Sequence, residues 1–381
     1  MTLRELVASL NARKRLVNAF KSGEIYLGTA ERPVFPKIHS VKIKAHSTQY
    51  TFSLPNGLNP DKLKRNYFAI MQHFGEQVRL DGEIKLFTLT VYAQALSNDM
   101  PYDIDEIREY VVKHKLGIIC GKERAGEIVS FDLLKQPHIL IAGETGSGKS
   151  TQLRSILTTL ILTKKPSELE LYLGDCKKSE FHIFRKVEHV KSVLSSGKEI
   201  AHMLAHIKRE LDERSDLTET FEVSHVDDLP AEHKRPYIVV CIDEFVMLRK
   251  DETVMEILTE IVAIGRTLGV FAILSMQRPN AKVLDTTIRA NLTVSMGFKL
   301  RDKTEARIVN TPDAEKLTEP GQFIMNSDRL YELQAPYLEM ERAKELLNPF
   351  MIAKGKNKTV IQEQANLTEE DVFNDAINEE R

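Results

Sequence analysis

The sequence predicts an α/β protein with a central, mostly parallel sheet, preceded by a smaller α+β domain. Three observations lead to this fold class. From residue 116 onward, short apolar runs alternate with segments of helical periodicity, as in parallel sheets that helices cover on both faces. A glycine-rich loop at residues 143–150 joins one apolar run to a helix. Before residue 100 the runs alternate between apolar and polar residues, as half-exposed strands do.

The first part of the chain is expected to combine helices and strands in a small domain. Apolar spacing predicts a helix over residues 3–20, and alternation predicts strands at 41–44 and 84–92. A helix is expected to start at Asn59-Pro60-Asp61 and to run to residue 74. A further helix over 103–114 leads into the next domain.

The second part is expected to hold the parallel sheet. A strand, a turn and a strand are predicted between residues 116 and 131. Further strands are predicted at 138–142, 169–173, 238–242, 270–275 and 292–298, and helices at 200–211 and 254–268. Residues 212–235 are polar and are predicted to form a loop. Such alternation of strands and helices predicts a sheet covered on both faces.

Composition restricts the classes of protein that the chain can represent. The 381 residues contain 42% hydrophobic and 28% charged residues, which is ordinary for a globular protein. The net charge of −2 gives no global signal for nucleic acid. The first 50 residues are basic, which predicts either contact with phosphates or anionic lipid or a solvated amphipathic helix. The last twenty residues are acidic.

Cysteine usage and hydropathy predict the compartment. Cys120, Cys176 and Cys241 form no C-x-x-C pair, which suits a reducing cytosol. No apolar run approaches the roughly 20 residues of a spanning helix, and the N-terminus lacks the layout of a signal peptide. We therefore expect a cytoplasmic protein, with any association with a membrane made through a partner.

The loop at residues 143–150 predicts a nucleotide site. It fits G-x-x-x-x-G-K-[ST] between an apolar run and a helix, which is the context that this motif requires. Glycines let the backbone N–H groups surround a phosphate, and the helix N-terminus adds partial positive charge. We expect ATP and Mg²⁺ as cofactors, with Lys149 on the β- and γ-phosphates and Ser150 on the metal ion. The expected binding residues are Gly143, Glu144, Thr145, Gly146, Ser147, Gly148, Lys149, Ser150 and Thr151.

Two adjacent acids predict the second half of this site. Asp243 and Glu244 follow a fully apolar strand, at the sheet edge where α/β proteins bind ligands. Asp243 is expected to complete the shell of Mg²⁺ and Glu244 to polarise the attacking water. The alternative is a solvated Asp-Glu pair. Gln277 ends the next strand and is either a γ-phosphate sensor or a plain loop residue, and Asp175 ends a strand at the same edge.

These residues stand within a longer series of motifs that resembles the FtsK/SpoIIIE family of DNA-pumping ATPases. The resemblance covers residues 117–326. Its motifs are Gly121-Lys122-Glu123, Gly126, Asp132-Leu133, Pro137-His138, the phosphate loop, Asp175-x-Lys177-x-x-Glu180-Phe181, Arg235-Pro236-Tyr237, Asp243-Glu244-Phe245, Gly265-Arg266, Gly269, Gln277-Arg278-Pro279, Ile288-Arg289-Ala290-Asn291, Ala314-Glu315-Lys316-Leu317 and Gly321. Several motifs in order are far more specific than one phosphate loop.

The resemblance implies a RecA-like P-loop NTPase that forms a hexameric ring around double-stranded DNA, with ATP bound between subunits. It implies catalytic roles for Glu244, Lys149 and Gln277, and a metal site at Ser150 and Asp243. An arginine of the neighbouring subunit is expected to stabilise charge on the γ-phosphate. Arg266 is the first candidate and Arg278 the second, and each could instead be a surface arginine.

The resemblance also sets the expected domains and partners. Residues 1–30 are expected to form a basic helical segment, 31–115 the α+β domain, 116–340 the ATPase domain and 341–381 a helical and acidic tail. The membrane spans and the winged helix of the chromosome translocases are not expected in this sequence. Residues 54–58 look more like coupling proteins of Gram-positive conjugative elements and plasmids, which suggests a relaxase or a membrane-anchored transfer protein as partner.

The expected function is therefore ATP-driven translocation of double-stranded DNA, in plasmid or conjugative transfer. A secretion-type ATPase that moves protein substrates is the alternative, although one phosphate loop without a membrane span disfavours it. A third possibility is a regulator that uses nucleotide only to assemble, but two acids beside a phosphate loop favour turnover.

Overall fold

The computed structural model describes residues 3–44, 46–93, 99–280, 284 and 286–352. These residues form two compact units. The first contains the described residues up to 100, together with 121–129 and 332–334. The second contains residues 101–120, the described residues of 130–331 and the described residues from 335 onward.

The first unit is built on a four-stranded antiparallel sheet. In chain order its elements are α1 (Leu3–Ser22), β1 (Leu27–Thr29), β2 (Arg32–Val34), β3 (Lys37–Ile43), β4 (Ser47–Ser53), α2 (Pro60–Arg65), α3 (Tyr67–Phe74), β5 (Val78–Asp81) and β6 (Leu86–Tyr92). The sheet has the order β3-β4-β6-β5, and β1 and β2 form a separate hairpin. Burial alternates along β4 and at the start of β6, so that one face of the sheet is covered, as the sequence pattern predicts.

Helix α1 contributes directly to the core of this unit. Leu16 and Phe20 are fully buried, and the ring of Phe20 lies 5.0 Å from that of Phe52 on β4. The basic residues of the helix also have internal partners: Arg13 donates to the carbonyls of Ile38 and His39, and Arg15 to that of His73. Part of the basic character of the N-terminal region is therefore used to hold α1 on the sheet.

The second unit contains most of the larger sheet and its helices. Its elements, some of whose outer residues group with the first unit, are α4 (Ile104–Val111), β7 (Gly117–Glu123), β8 (Ile128–Asp132), β9 (Ile139–Ala142), α5 (Lys149–Thr163), β10 (Leu169–Asp175), β11 (Val190–Leu194), α6 (Gly197–Thr220), β12 (Tyr237–Asp243), α7 (Glu252–Leu268), β13 (Val270–Met276), α8 (Thr286–Asn291), β14 (Val294–Gly297), α9 (Lys303–Val309), β15 (Gln322–Asn326), β16 (Leu330–Gln334) and α10 (Met340–Leu347).

The described strands of this sheet follow the order β11-β10-β12-β13-β9-β14-β15-β16-β7-β8. The six strands from β11 to β14 in this order are parallel, and β15 pairs with β14 in the antiparallel sense. Every residue of β9, β13 and β14 is buried, which explains why β9 is entirely apolar and β13 is apolar apart from Ser275. The predicted fold class, an α/β protein with a mostly parallel sheet, is confirmed.

The expected loop over residues 212–235 is wrong for its first part. Helix α6 continues to Thr220, because Arg214 takes a buried position that the sequence pattern reads as polar. Its guanidinium pairs with Glu210 at 3.0 Å and donates to the carbonyls of Leu268 and Pro236. Because each guanidinium nitrogen has a partner, Arg214 can occupy a core position, and the helix therefore extends beyond the last residue of its apolar pattern.

The domain boundaries in the structure differ from those expected. Residues 1–30 are not set apart, because α1 belongs to the core of the first unit. The helix expected at the end of the α+β domain, α4, groups with the second unit, where Ile107 and Val111 are buried. The tail expected at 341–381 begins with α10, and its acidic residues beyond 352 lie outside the described part of the chain.

Two smaller observations complete the fold. The helix expected over residues 59–74 is divided into α2 and α3 at Asn66, whose side-chain amide donates to the carbonyl of Gly23. Among the described helices, none combines the length and the apolar character that crossing a membrane requires.

Candidate nucleotide-binding site

The phosphate loop, residues 143–150, connects β9 to α5 and depends on glycine at several positions. Gly143, Gly146 and Gly148 have φ angles of 154°, 81° and 113°, which side chains disfavour. A Cβ on Gly143 would lie 2.7 Å from the Cβ of Phe298, and one on Gly148 would lie 2.9 Å from the Cα of Gly321. The loop therefore requires glycine for its dihedral angles and for its packing.

Backbone hydrogen bonds hold the loop from two sides. The N–H of Glu144 donates to the carbonyl of Lys299, which follows β14, at 2.8 Å. The N–H of Gly321 donates to the carbonyl of Ser147 at 2.9 Å, and the N–H of Ala335 donates to the carbonyl of Gly321. The loop is thus fixed by chain segments that lie far away in sequence.

Lys149 is a buried cation at the centre of the loop. Its side chain donates to the carbonyl oxygens of Gly143 and Glu144 at 2.5 and 3.3 Å. Burial lowers the pKa of Lys149, and the carboxylates of Asp243 and Glu244 partly offset this effect. A cation that binds loop carbonyls can exchange these partners for phosphate oxygens.

Ser150 and Thr151 lie in the first turn of α5, where free N–H groups and the helix dipole favour an anion. The residue Ser150 is half-buried. Ser147 lies just before them, and its hydroxyl donates to the carbonyl of Glu144 at 2.7 Å. The loop thereby closes on itself, while α5 presents its N-terminus to the same space.

Asp243 ends β12, and one strand, β13, lies between it and the strand that leads into the phosphate loop. The hydroxyl of Ser275 on β13 donates to Oδ1 of Asp243 at 2.7 Å. Burial raises the pKa of Asp243, because the charged form of a carboxylate is costly inside a protein, and the hydrogen bond from Ser275 and the charges of Lys177 and Lys149 partly offset this rise. The oxygens of Asp243 and Ser150 form a donor set that suits Mg²⁺, which prefers oxygen ligands and retains several waters. These residues therefore fit the expected metal ion.

Glu244 follows Asp243 in a left-handed backbone conformation with φ of 55°. Its Oε2 lies 2.6 Å from Nζ of Lys177, and its Oε1 accepts the backbone N–H of Gln277 at 3.2 Å. The left-handed conformation costs free energy for a residue other than glycine. The contacts with Lys177 and with the N–H of Gln277 offset this cost and fix the direction of the carboxylate.

The remaining predicted residues lie at different edges of the sheet. Gln277 and Arg278 directly follow β13, at the carboxyl edge that also carries the phosphate loop. Arg266 lies exposed in the last turn of α7, four residues before β13 starts, and therefore at the opposite edge. The structure thus brings Gln277 close to Glu244 and keeps Arg266 away from the phosphate loop of its own chain.

Asp175, at the tip of β10, is paired in register with Asp243. Its carboxylate accepts the backbone N–H groups of Ser179, Glu180 and Phe181 at 3.2, 3.0 and 3.0 Å. It therefore anchors the loop that carries Lys177.

Sequence reasoning missed three contributors to the site. Lys177 was visible only as part of a family motif, and its pairing with Glu244 was not expected. Ser275 sits inside an apolar run, where a single hydroxyl gives a weak signal. Gly321 belongs to a family motif, but its contact with the phosphate loop depends on the tertiary fold.

The fold and the site together define a P-loop NTPase: a parallel sheet, a phosphate loop between β9 and α5, and acids at the end of β12. Residues 109–233 match the model of the FtsK/SpoIIIE family. The chain therefore carries a domain of the FtsK/SpoIIIE family, as the sequence motifs predict.

Similar proteins agree with this conclusion. The DNA translocase FtsK of Leptospira interrogans is 31% identical over 252 residues, which cover 62% of this chain and 27% of that protein. The chain spans between 27% and 42% of the length of FtsK relatives that it matches.

Two solved structures share the fold. The conjugation coupling protein TcpA of pCW3, with ATPγS, has a TM-score of 0.62 at 22% identity, over 89% of this chain and 99% of that chain. EssC (ATPases 2 and 3) from Geobacillus thermodenitrificans has a TM-score of 0.59 at 19% identity, over 68% and 52% of the two chains.

Proposed function

We propose that the protein is an ATP-driven motor that moves double-stranded DNA. The observation that carries this proposal is the convergence of charges on the phosphate loop. Buried Lys149 is influenced by the carboxylates of both Asp243 and Glu244, which end a strand two positions away in the sheet. Nucleotide hydrolysis requires a loop that binds the phosphates, an acid that coordinates the metal ion and a second acid that activates water. These three parts lie side by side in this site.

The residues divide the work as follows in this proposal. The ammonium of Lys149 and those N–H groups of residues 143–151 that do not already donate to a protein carbonyl bind the phosphates, and Ser150 and Asp243 hold Mg²⁺. When bound, Mg²⁺ neutralises charge on the phosphate oxygens. Glu244 orients and polarises the attacking water, and Gln277, whose backbone contacts Glu244, senses the γ-phosphate.

The cargo is proposed from the family relationship. The curated relatives are named DNA translocases, and the TcpA structure is described as that of a conjugation coupling protein. We propose plasmid or conjugative DNA as the cargo, contacted at its phosphates rather than at base edges. A relaxase or a membrane-anchored transfer protein is the partner that such a role requires.

A ring of identical subunits, six in this proposal, would supply an arginine to each site from its neighbour. Arg266 can serve only a neighbouring subunit, because it lies at the sheet edge opposite the phosphate loop of its own chain. Arg278 is exposed beside Gln277 at the same edge as that loop. Both remain candidates for the arginine that acts in trans.

The test is the rate of ATP hydrolysis with and without linear duplex DNA, at low and at high salt. We expect duplex DNA to raise the rate severalfold at low salt and much less at high salt, because contacts to phosphates release counterions. Lys149→Ala should abolish the activity in both conditions and serves as the control for contaminating ATPases.

The other outcomes separate the alternatives. Stimulation by a peptide substrate and not by DNA would favour a secretion-type ATPase. If wild type and Glu244→Gln both bound ATP and neither hydrolysed it, the result would favour a regulator that uses nucleotide only to assemble.

A further inference from the structure

The proposed roles leave the side chain of Lys177 unexplained. Lys177 lies two residues beyond the end of β10, and its Nζ is 2.6 Å from Oε2 of Glu244. The side chain of Lys177 is 31% exposed and that of Glu244 is 9% exposed. A largely buried carboxylate is thus paired with an ammonium that solvent can still reach.

We infer that Lys177 is a positioning residue whose ammonium restrains Glu244, and that withdrawal of Lys177 frees this carboxylate for hydrolysis. This inference rests on the proposed ATPase function. It adds a means by which the loop at residues 176–180 controls the rate.

The geometry explains why the ion pair opposes hydrolysis. A carboxylate that polarises water needs an oxygen that is free and basic. In Glu244 one oxygen faces Lys177, and the other accepts the N–H of Gln277. The paired state is therefore less able to activate water than a state without Lys177.

Lys177 also acts on the rest of the site. Burial is the main cause that lowers the pKa of Lys149, and the charge of Lys177 lowers it further. The same charge opposes the rise that burial causes in the pKa of Asp243. Lys177 is therefore within electrostatic reach of the residues proposed for phosphate and metal binding.

The loop that carries Lys177 joins this site to the protein surface. Glu180, at its end, pairs with Arg154 on α5 at 3.1 Å. Lys178 and Arg185 line a neighbouring cleft of about 280 Å³ together with Asp175 and Glu199, and neither cation forms an ion pair with another described residue. A DNA phosphate that contacts these cations could displace the loop and withdraw Lys177 from Glu244.

The experiment compares ATP hydrolysis without DNA for Lys177→Ala, Lys177→Arg and Lys198→Ala. Lys198, exposed at the start of α6, controls for the loss of one positive charge. We expect Lys177→Ala to hydrolyse about 2- to 5-fold faster than wild type, in line with a partly exposed ion pair. Lys177→Arg and Lys198→Ala should stay close to wild type, and DNA should stimulate Lys177→Ala less than wild type.

A second measurement follows the loop without using activity. Cys120 and Cys241 are fully buried, whereas Cys176, next to Lys177, is only partly buried. Burial raises the pKa of Cys176 to about 11, so that its alkylation is slow and sensitive to loop movement. Alkylation of Cys176 should be faster in Lys177→Ala than in wild type and unchanged in Lys198→Ala.

The inference stands only if both hydrolysis and alkylation increase in Lys177→Ala. Hydrolysis that is unchanged, or that falls to the level of Glu244→Gln, would overturn it, as would unchanged alkylation. If the wild type itself does not hydrolyse ATP, the proposed function fails, and the alkylation rates then report only on the ion pair between Lys177 and Glu244.

Discussion

The two halves of the nucleotide site are built in different ways. The phosphate loop is mainly backbone, and its shape follows from glycines with positive φ angles. The acidic tip at Asp243 and Glu244 is defined by side chains, since its carboxylates are held by Ser275, Lys177 and the backbone of Gln277. The backbone conformation of the first half follows from neighbouring residues, with distant segments packed against it, whereas the second half is itself assembled from three separate segments.

This difference teaches that the two halves should fail in different ways. A change in the phosphate loop disrupts the phosphate-binding site and therefore the binding of nucleotide. A change at the acidic tip leaves the phosphate loop intact and alters the rate at which bound nucleotide is hydrolysed.

The largest expected effect separates binding from hydrolysis. Glu244→Gln should lower the rate of hydrolysis by about 100-fold or more, because the side chain loses its basicity, while a fluorescent ATP analogue still binds. Lys149→Ala should lose binding and hydrolysis together. If Glu244→Gln also lost binding of the analogue, the acidic tip would itself contribute to nucleotide binding, and the proposed division between the phosphate loop and the acidic tip would be wrong.

The second effect tests the strand beneath the phosphate loop. His138 precedes β9 and is buried, with its Nδ1 accepting the N–H of Ala272 at 3.1 Å. Burial lowers the pKa of His138 from 6.5 to about 4. A protonated ring cannot accept this hydrogen bond. The stabilisation by neutral His138 is therefore present above pH 6.5 and is lost as the pH falls towards 4.

At pH 5 this loss should reach about 2 kcal/mol of the free energy of unfolding. Urea titrations of wild type and His138→Asn at several pH values measure it, and asparagine tolerates the positive φ of this position. The difference between the two proteins should change with pH below about 6.5. An equal dependence on pH in both would show that the phosphate-loop strand does not rely on a neutral histidine.

The smallest effect concerns the donor that orients Asp243. Ser275→Ala removes a hydrogen bond to a residue proposed for the metal site, and such partners typically contribute about 10-fold to metal affinity. We expect half-maximal hydrolysis to need about 10-fold more Mg²⁺, with the binding of nucleotide alone unchanged. Ser295→Ala, on β14, is the matched control. An unchanged requirement for Mg²⁺ would mean that Ser275 only fills space.

Much of the fold could be read from the sequence, for identifiable reasons. The buried strands β9, β12 and β13 are largely apolar, and the ends of β9 and β12 coincide with the phosphate loop and with Asp243. The end of α6 could not be read in this way, because Arg214 is buried through contacts with carbonyls on two other segments. A residue whose burial depends on distant partners carries no local periodic signal.

The sequence by itself determined the phosphate loop, the acids at the strand end and the family motifs, because their chemistry depends on residues that are adjacent in the chain. Only the tertiary structure decided that Lys177 pairs with Glu244, that Ser275 supports Asp243 and that Gly321 packs on Gly148. These contacts join segments far apart in sequence, and the order of strands in the sheet brings them together.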